Sequence, residues 1–133
     1  MAPGVGLSLR MATRDDFRRI ALGLPEAYED VHRKRPSFRV AKRIFAMLGV
    51  AGNAALFNSL GWDDVAVVKL DRDDQLNMAA AHEGAVQPTE TYGHHGWTYL
   101  RLEQLPEDAL ALMLRLAWAH VAPRRLARAL SGP

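Results

Sequence analysis

The chain has no cysteine among its 133 residues. That excludes disulfides, thiol catalysis and zinc sites built on thiolate, and it fits a reducing compartment such as the cytoplasm. Long apolar runs are missing too. Arg115 and His120 break the best candidate, so nothing approaches the roughly 18 uninterrupted apolar residues of a membrane span. The opening MAPGVGLSLR has neither the cationic start nor the apolar length of a signal peptide. A dominant charge is absent: 17 Lys and Arg face 15 Asp and Glu, and a net +2 does not by itself announce a polyanionic partner. GxSxG, the Walker A loop, GxGxxG and HExxH are absent, which removes the common nucleophile, nucleotide and zinc-hydrolase signatures. The GVAG at 49–52 matches a bare GxxG, too short to carry meaning without flanking helices.

What is present is the material of one globular domain, 49% hydrophobic and 24% charged. Residues 11–131 are expected to form it, with 1–10 a disordered tail. Thr13 followed by Asp16 resembles a capping box, and Phe17, Ile20, Ala21 and Leu24 recur at helical spacing, so a helix is expected over about 14–22. Gly23, suited to a left-handed cap, and Pro25 end it, and a loop follows through Tyr28 and His32. Ser37 to Val40 and Arg43 to Leu48 read as a hairpin turning at Ala41 and Lys42, although neither residue favours positive φ. Ala54 to Leu60 and Val65 to Leu70 read as further strands. Asp71 caps a short helix over 72–81 with Leu76, Ala79 and Ala80 inward, and Pro88 confines its neighbourhood to an edge strand or loop. In the strand from Trp97 to Leu102, Trp97, Tyr99 and Arg101 point one way and Thr98, Leu100 and Leu102 the other. Pro106, Glu107 and Asp108 open a long helix with Leu110, Met113, Leu114, Ala117, Trp118 and Val121 on its inner face. Leu112 and Leu116 on its outer side suggest a homodimer contact.

Six of the eleven residues from Arg33 to Arg43 are Lys or Arg. Arg33, Lys34, Arg35, Arg39, Lys42 and Arg43 can follow a phosphate backbone, because cations that neutralise phosphates release condensed counterions. The plainer alternative is a solvated hairpin whose charges discourage edge-to-edge pairing. The Trp97, Tyr99, Arg101 face can stack bases or grip a ligand, or simply pack into the core. His32, Tyr92, His94 and Trp97 can line a ligand pocket suited to acid–base work. A metal site is not expected: His94 and His95 are adjacent, and on a strand they would point to opposite faces.

The runs LPEAYEDVHRKRPSFRVAKRIFAML, VAVVKLDRDDQ, YGHHGWTYLRL and LAWAHVAPRRL, taken in order and spacing, resemble the MmcQ/YjbR family over about Met11 to Leu130. The resemblance implies an α+β domain with a curved, mostly antiparallel sheet, an N-terminal helix, a short middle helix and a long C-terminal helix. It also implies kinship with double-wing DNA-binding domains. Ala41 and Lys42 stand where relatives often carry Gly, and residues 49–62 contain extra length. The expected function is therefore a non-enzymatic DNA-binding protein that contacts phosphates through the six cations without reading sequence. The alternative is a small-molecule-binding protein or enzyme using the His32, Tyr92, His94, Trp97 pocket. No cofactor is expected.

Overall fold

Binary pattern decides which face of each element is buried, and in the computed structural model, which describes residues 10–49, 62 and 64–131, it produces one sheet with helices on one side. The elements in chain order are α1 (Arg14–Leu22), β1 (Tyr28–His32), β2 (Arg35–Val40), β3 (Arg43–Leu48), β4 (Val65–Lys69), α2 (Arg72–Ala81), β5 (Val86–Pro88), β6 (Trp97–Arg101), α3 (Glu107–Val121) and α4 (Arg124–Ser131). Short 3₁₀ turns occupy Gly93–His95 and Leu102–Gln104. The six strands lie in the order β1-β2-β3-β4-β6-β5, every neighbouring pair antiparallel. The expected α+β class with an antiparallel sheet is what forms.

The helix-covered face carries the main core. Phe38 and Val40 of β2, Phe45, Ala46 and Leu48 of β3, Ala66 and Val68 of β4 and Leu100 of β6 meet Phe17 and Ala21 of α1 and all six expected inner residues of α3. Each fully buried Leu or Phe contributes on the order of 1.5–3 kcal/mol of hydrophobic stabilisation. Phe17 packs edge-on against Phe38 with ring centroids 5.6 Å apart. Trp118 is fully buried and donates its Nε1–H to the Pro25 carbonyl at 3.0 Å, which satisfies the one polar group of its ring. Phe45 and Ala46 are sequence neighbours, yet both are buried in this core. The register explains it: Phe38 pairs with Ala46 but Arg39 with Ile44, so Phe45 is the extra residue of a β-bulge.

The N-terminal helix is tied down by a buried carboxylate. Asp16 completes the expected capping box with Thr13, and Arg10 clamps it through Nη1 and Nη2, each donating at 2.9 Å. Arg19 reaches Asp16 as well, and both arginines also reach Glu107 at the start of α3, so α1 and α3 share one ionic knot. The Arg10 hydrogen bond holds the Asp16 carboxyl well below the usual carboxylate range, against the opposing effect of burial.

Several expectations need correction. Tyr28 to His32 is a strand rather than a loop. It is one of the sheet's two edge strands and four of its five residues are exposed, so no apolar alternation announces it. Gly23 stays right-handed at φ −78°, its N–H donating to the Arg19 and Ile20 carbonyls. On α2 the inward residues are Gln75, Met78 and Ala79, whereas Leu76, at 54%, and Ala80 are exposed. Pro88 sits at the end of edge strand β5, as its missing N–H demands. Of the tail expected over 1–10, residues 1–9 lie outside the described residues, as does the strand expected over 54–60, whereas Arg10 is bonded to Asp16 and Glu107. Among the described residues no helix is long and apolar enough to cross a membrane.

Candidate functional site

The face of the sheet away from the helices is built by the alternate residues of the same strands. Register and burial place Tyr28, Asp30 and His32 of β1, Arg35, Ser37 and Arg39 of β2, Ile44 and Met47 of β3, Val65, Val67 and Lys69 of β4 and Trp97, Tyr99 and Arg101 of β6 on it. A small second cluster forms there: Val65, Val67 and Tyr99 are buried under Met47, Trp62 and Trp97. Trp62 stacks edge-on against Tyr99, and the Arg101 guanidinium lies 5.7 Å from the Trp62 ring centre. Lys69 stands 5.9 Å over Trp97. The expected split of β6 into a Trp97, Tyr99, Arg101 face and a Thr98, Leu100, Leu102 face holds, and the first of these faces is partly packed and partly exposed.

At the β1–β2 end of this face a cavity of about 390 Å³ opens between the hairpin turn and the loop that follows β5. Ile44, Met47 and Val67 make its apolar floor. His32, Arg33 and Arg35 form one wall, and Thr89, Glu90, Thr91 and Tyr92 form the other, with Trp97 and Tyr99 between them. His32 pairs with Arg35 across a two-residue turn made by Arg33 and Lys34, whose φ values of 52° and 70° are the left-handed pair that such tight hairpins require. The Tyr99 hydroxyl donates to Glu90 Oε1 at 2.5 Å. Burial first, then that hydrogen bond, pushes the phenol above its usual range, so Tyr99 is a neutral donor here. Tyr92 stands 60% exposed at the rim.

Buried polar contacts hold the loop carrying this wall. Gln75, fully buried on α2, donates through Nε2 to the Gly93 carbonyl at 3.0 Å and to Thr98 Oγ1 at 3.0 Å, and Arg72 also donates to the Gly93 carbonyl. Gly96 lies at φ +96°, and a Cβ there would meet the Leu70 carbonyl oxygen at 2.0 Å. No other residue lets the chain pass so close to β4 and still present Trp97 at the start of β6.

Of the four expected pocket residues, the structure brings His32, Tyr92 and Trp97 to one cavity and leaves His94 outside its lining. His94 is exposed in the 3₁₀ turn, its ring 4.0 Å from that of His95. Sequence reading missed Thr89, Glu90 and Thr91, a polar run without periodicity whose only signal is the turn chemistry around Pro88. Among the described residues no three His, Asp or Glu side chains come together as a metal site.

The six expected cations run along β2 from one end to the other. Arg33, Lys34 and Arg35 lie at the cavity end. Arg39 follows on the open face, and Lys42 occupies the opposite turn, where Ala41 and Lys42 repeat the left-handed pair at φ 50° and 68°. Arg43 pairs with Val40, whose side chain is in the core, so it leaves the strand on the helix side. At ~3.3 Å per residue the two turns are roughly 20 Å apart. Arg10, Arg18, Arg19, Arg101 and Arg125 all make ion pairs, whereas among the described residues Arg33, Lys34, Arg39, Lys42 and Arg43 make none. Arg39 donates its Nε–H to Ser37 Oγ at 3.2 Å.

The YjbR family model matches residues 22–120. Among solved structures, the Deinococcus radiodurans protein DR2400, of domain DUF419, is 20% identical, with 96% of this chain and 94% of that one covered at a TM-score of 0.70. A Pseudomonas syringae protein is 13% identical, with 82% and 98% covered at a TM-score of 0.61. At these identities the likeness is one of fold. No curated protein matches the chain.

Proposed function

The chain belongs to the YjbR family, and from that premise we propose a non-enzymatic domain that binds DNA through phosphate contacts made by Arg33, Lys34, Arg35, Arg39, Lys42 and Arg43. One observation carries the reading. Within the short stretch from residue 33 to residue 43, Arg33, Lys34, Arg39, Lys42 and Arg43 make no ion pair among the described residues, and β2 with its two bounding turns gathers them into one region of the surface. Unpaired surface cations are already solvated and ready to exchange small counterions for a polyanion, which is the main favourable term in phosphate binding. The ~20 Å from turn to turn spans about six phosphates of one DNA strand at roughly 3.4 Å of axial rise each. Phosphate contacts position a protein without reading bases, so no sequence preference is part of the proposal.

A fluorescence anisotropy titration with a short duplex tests it. With four to six contacts, log affinity falls against log salt with a slope of about −4 to −5. Lys42→Glu combined with Arg43→Glu is expected to remove binding at low salt. An unchanged affinity in that double variant, or no affinity of the wild type for DNA at low salt, rejects the proposal.

A further inference from the structure

We propose that the cavity between the β1–β2 turn and residues 89–92 binds a small planar aromatic anion, a ring carrying a phosphate group as in a nucleoside monophosphate. The inference shares Arg33 and Arg35 with the proposed DNA contacts but needs no polynucleotide, because the cavity they line is closed by residues far from Lys42 and Arg43.

Size comes first. A cavity of about 390 Å³ falls at the small end of the roughly 300–1,000 Å³ range of small-molecule pockets, which suits one ring system with one substituent better than an extended chain. The shape of its chemistry comes next. An apolar floor of Ile44, Met47 and Val67 under the flanking aromatic rings of Tyr92 and Trp97 favours a flat hydrophobic body. Tyr92 is 60% exposed at the rim, where a large aromatic side chain without cover gains most from stacking on a bound ring. Charge then fixes the substituent. Arg33 of the turn and Arg35, the β2 partner of His32, line the same wall, so donors converge at one end of the cavity and a cationic ligand is opposed. Guanidinium groups bind tetrahedral phosphate oxygens with paired hydrogen bonds. The far wall supplies the Thr89 and Thr91 hydroxyls and the Glu90 carboxylate, polar partners for the edge of a heterocycle rather than for a plain hydrocarbon ring. A purely apolar ligand would take the Thr89 and Thr91 hydroxyls out of water and offer them no hydrogen bond, and inorganic phosphate alone would leave the aromatic wall unused.

Isothermal titration calorimetry with adenosine monophosphate, uridine monophosphate, adenosine and inorganic phosphate tests the proposal. At least one of the two monophosphates is expected to bind at least about tenfold more tightly than adenosine or inorganic phosphate alone. Arg33→Glu should weaken the monophosphate by roughly tenfold or more, and Tyr92→Ala or Trp97→Ala severalfold. Arg33 and Tyr92 are exposed, so those variants fold, and an unchanged melting temperature verifies it. Lys42→Glu with Arg43→Glu, at the other end of β2, should leave monophosphate affinity unchanged while abolishing DNA binding, so failure of either reading is visible without the other. No heat from either monophosphate up to roughly 5 mM, which excludes dissociation constants tighter than about 1 mM, overturns the proposal. So does inorganic phosphate binding as tightly as the monophosphates, or affinity indifferent to both Arg33→Glu and Trp97→Ala.

Discussion

The two faces of the sheet are made by alternate residues of the same strands, and they differ in what satisfies their side chains. On the helix side Phe38, Val68, Leu100 and their neighbours meet α1 and α3, and the charges at that boundary close on one another around Asp16. On the other side the apolar cluster is small, an aromatic residue stands exposed at a cavity rim, and Arg39 finds a hydroxyl rather than a carboxylate. A surface whose requirements are met internally has little left to offer a partner. If the proposed binding is correct, one face serves stability and the other binding, and variants that separate the two properties test that division.

The largest effect comes from the two tryptophans. Trp118 is fully buried with its ring nitrogen satisfied, so Trp118→Ala leaves a cavity and an unpaired Pro25 carbonyl and should cost about 3–5 kcal/mol. Trp97 on the other face is half-buried beside Lys69, and Trp97→Ala should cost no more than about 1–2 kcal/mol while reducing ligand binding in the cavity. Urea denaturation of both variants checks the contrast. Equal losses would mean that Trp97 belongs to the core and that the division into two faces is wrong.

Acid sensitivity sharpens the same contrast. Because its folded pKa is depressed, chiefly by Arg10, Asp16 adds stability that is fully present above its unfolded value near 4 and is lost as pH falls through the acid range toward the folded one. Asp16→Asn should lower stability at neutral pH by about 1–2 kcal/mol, a figure kept small because Arg10 and Arg19 are more than half exposed and screened by water. The variant should then lose less on acidification below about pH 4 than the wild type does. Urea midpoints measured between neutrality and pH 3 decide it, and parallel curves would show that the ionic knot is not the acid-labile element.

Legibility in the sequence follows the same division. The inner face of α3, the bounds of α1, α2 and β3 and the two faces of β6 follow from period and caps, because burial on one side writes a regular pattern. Strand β1 lies at the sheet's edge with four exposed residues, so its pairing with β2 leaves no apolar trace in YEDVH. On α2 the buried position is Gln75, a polar residue placed for the Gly93 and Thr98 oxygens, and hydrophobic reading points instead to exposed Leu76. His32, Tyr92 and Trp97 were legible as chemistry. Their convergence with Glu90 depends on strands from distant parts of the chain and on the close passage of Gly96 past Leu70, which no local pattern encodes.

The smallest effect lies in the turns that bound β2. Both carry two consecutive non-glycine residues in the left-handed region, where each L side chain costs on the order of 1 kcal/mol, and relief of that strain should be measurable. Lys42→Gly at φ 68° is expected to raise stability by about 0.5–1 kcal/mol, because the glycine occupies that conformation without a Cβ clash and this gain exceeds its greater loss of chain entropy. The same change removes one cation, so the salt slope of DNA binding should become shallower by about 1 while monophosphate affinity at the distant cavity stays as it was. Urea denaturation and a salt titration on the one variant give both readings. A destabilised Lys42→Gly would mean that the lysine stem packs on the sheet more strongly than its exposure indicates, and an unchanged slope would remove Lys42 from the phosphate-contacting line.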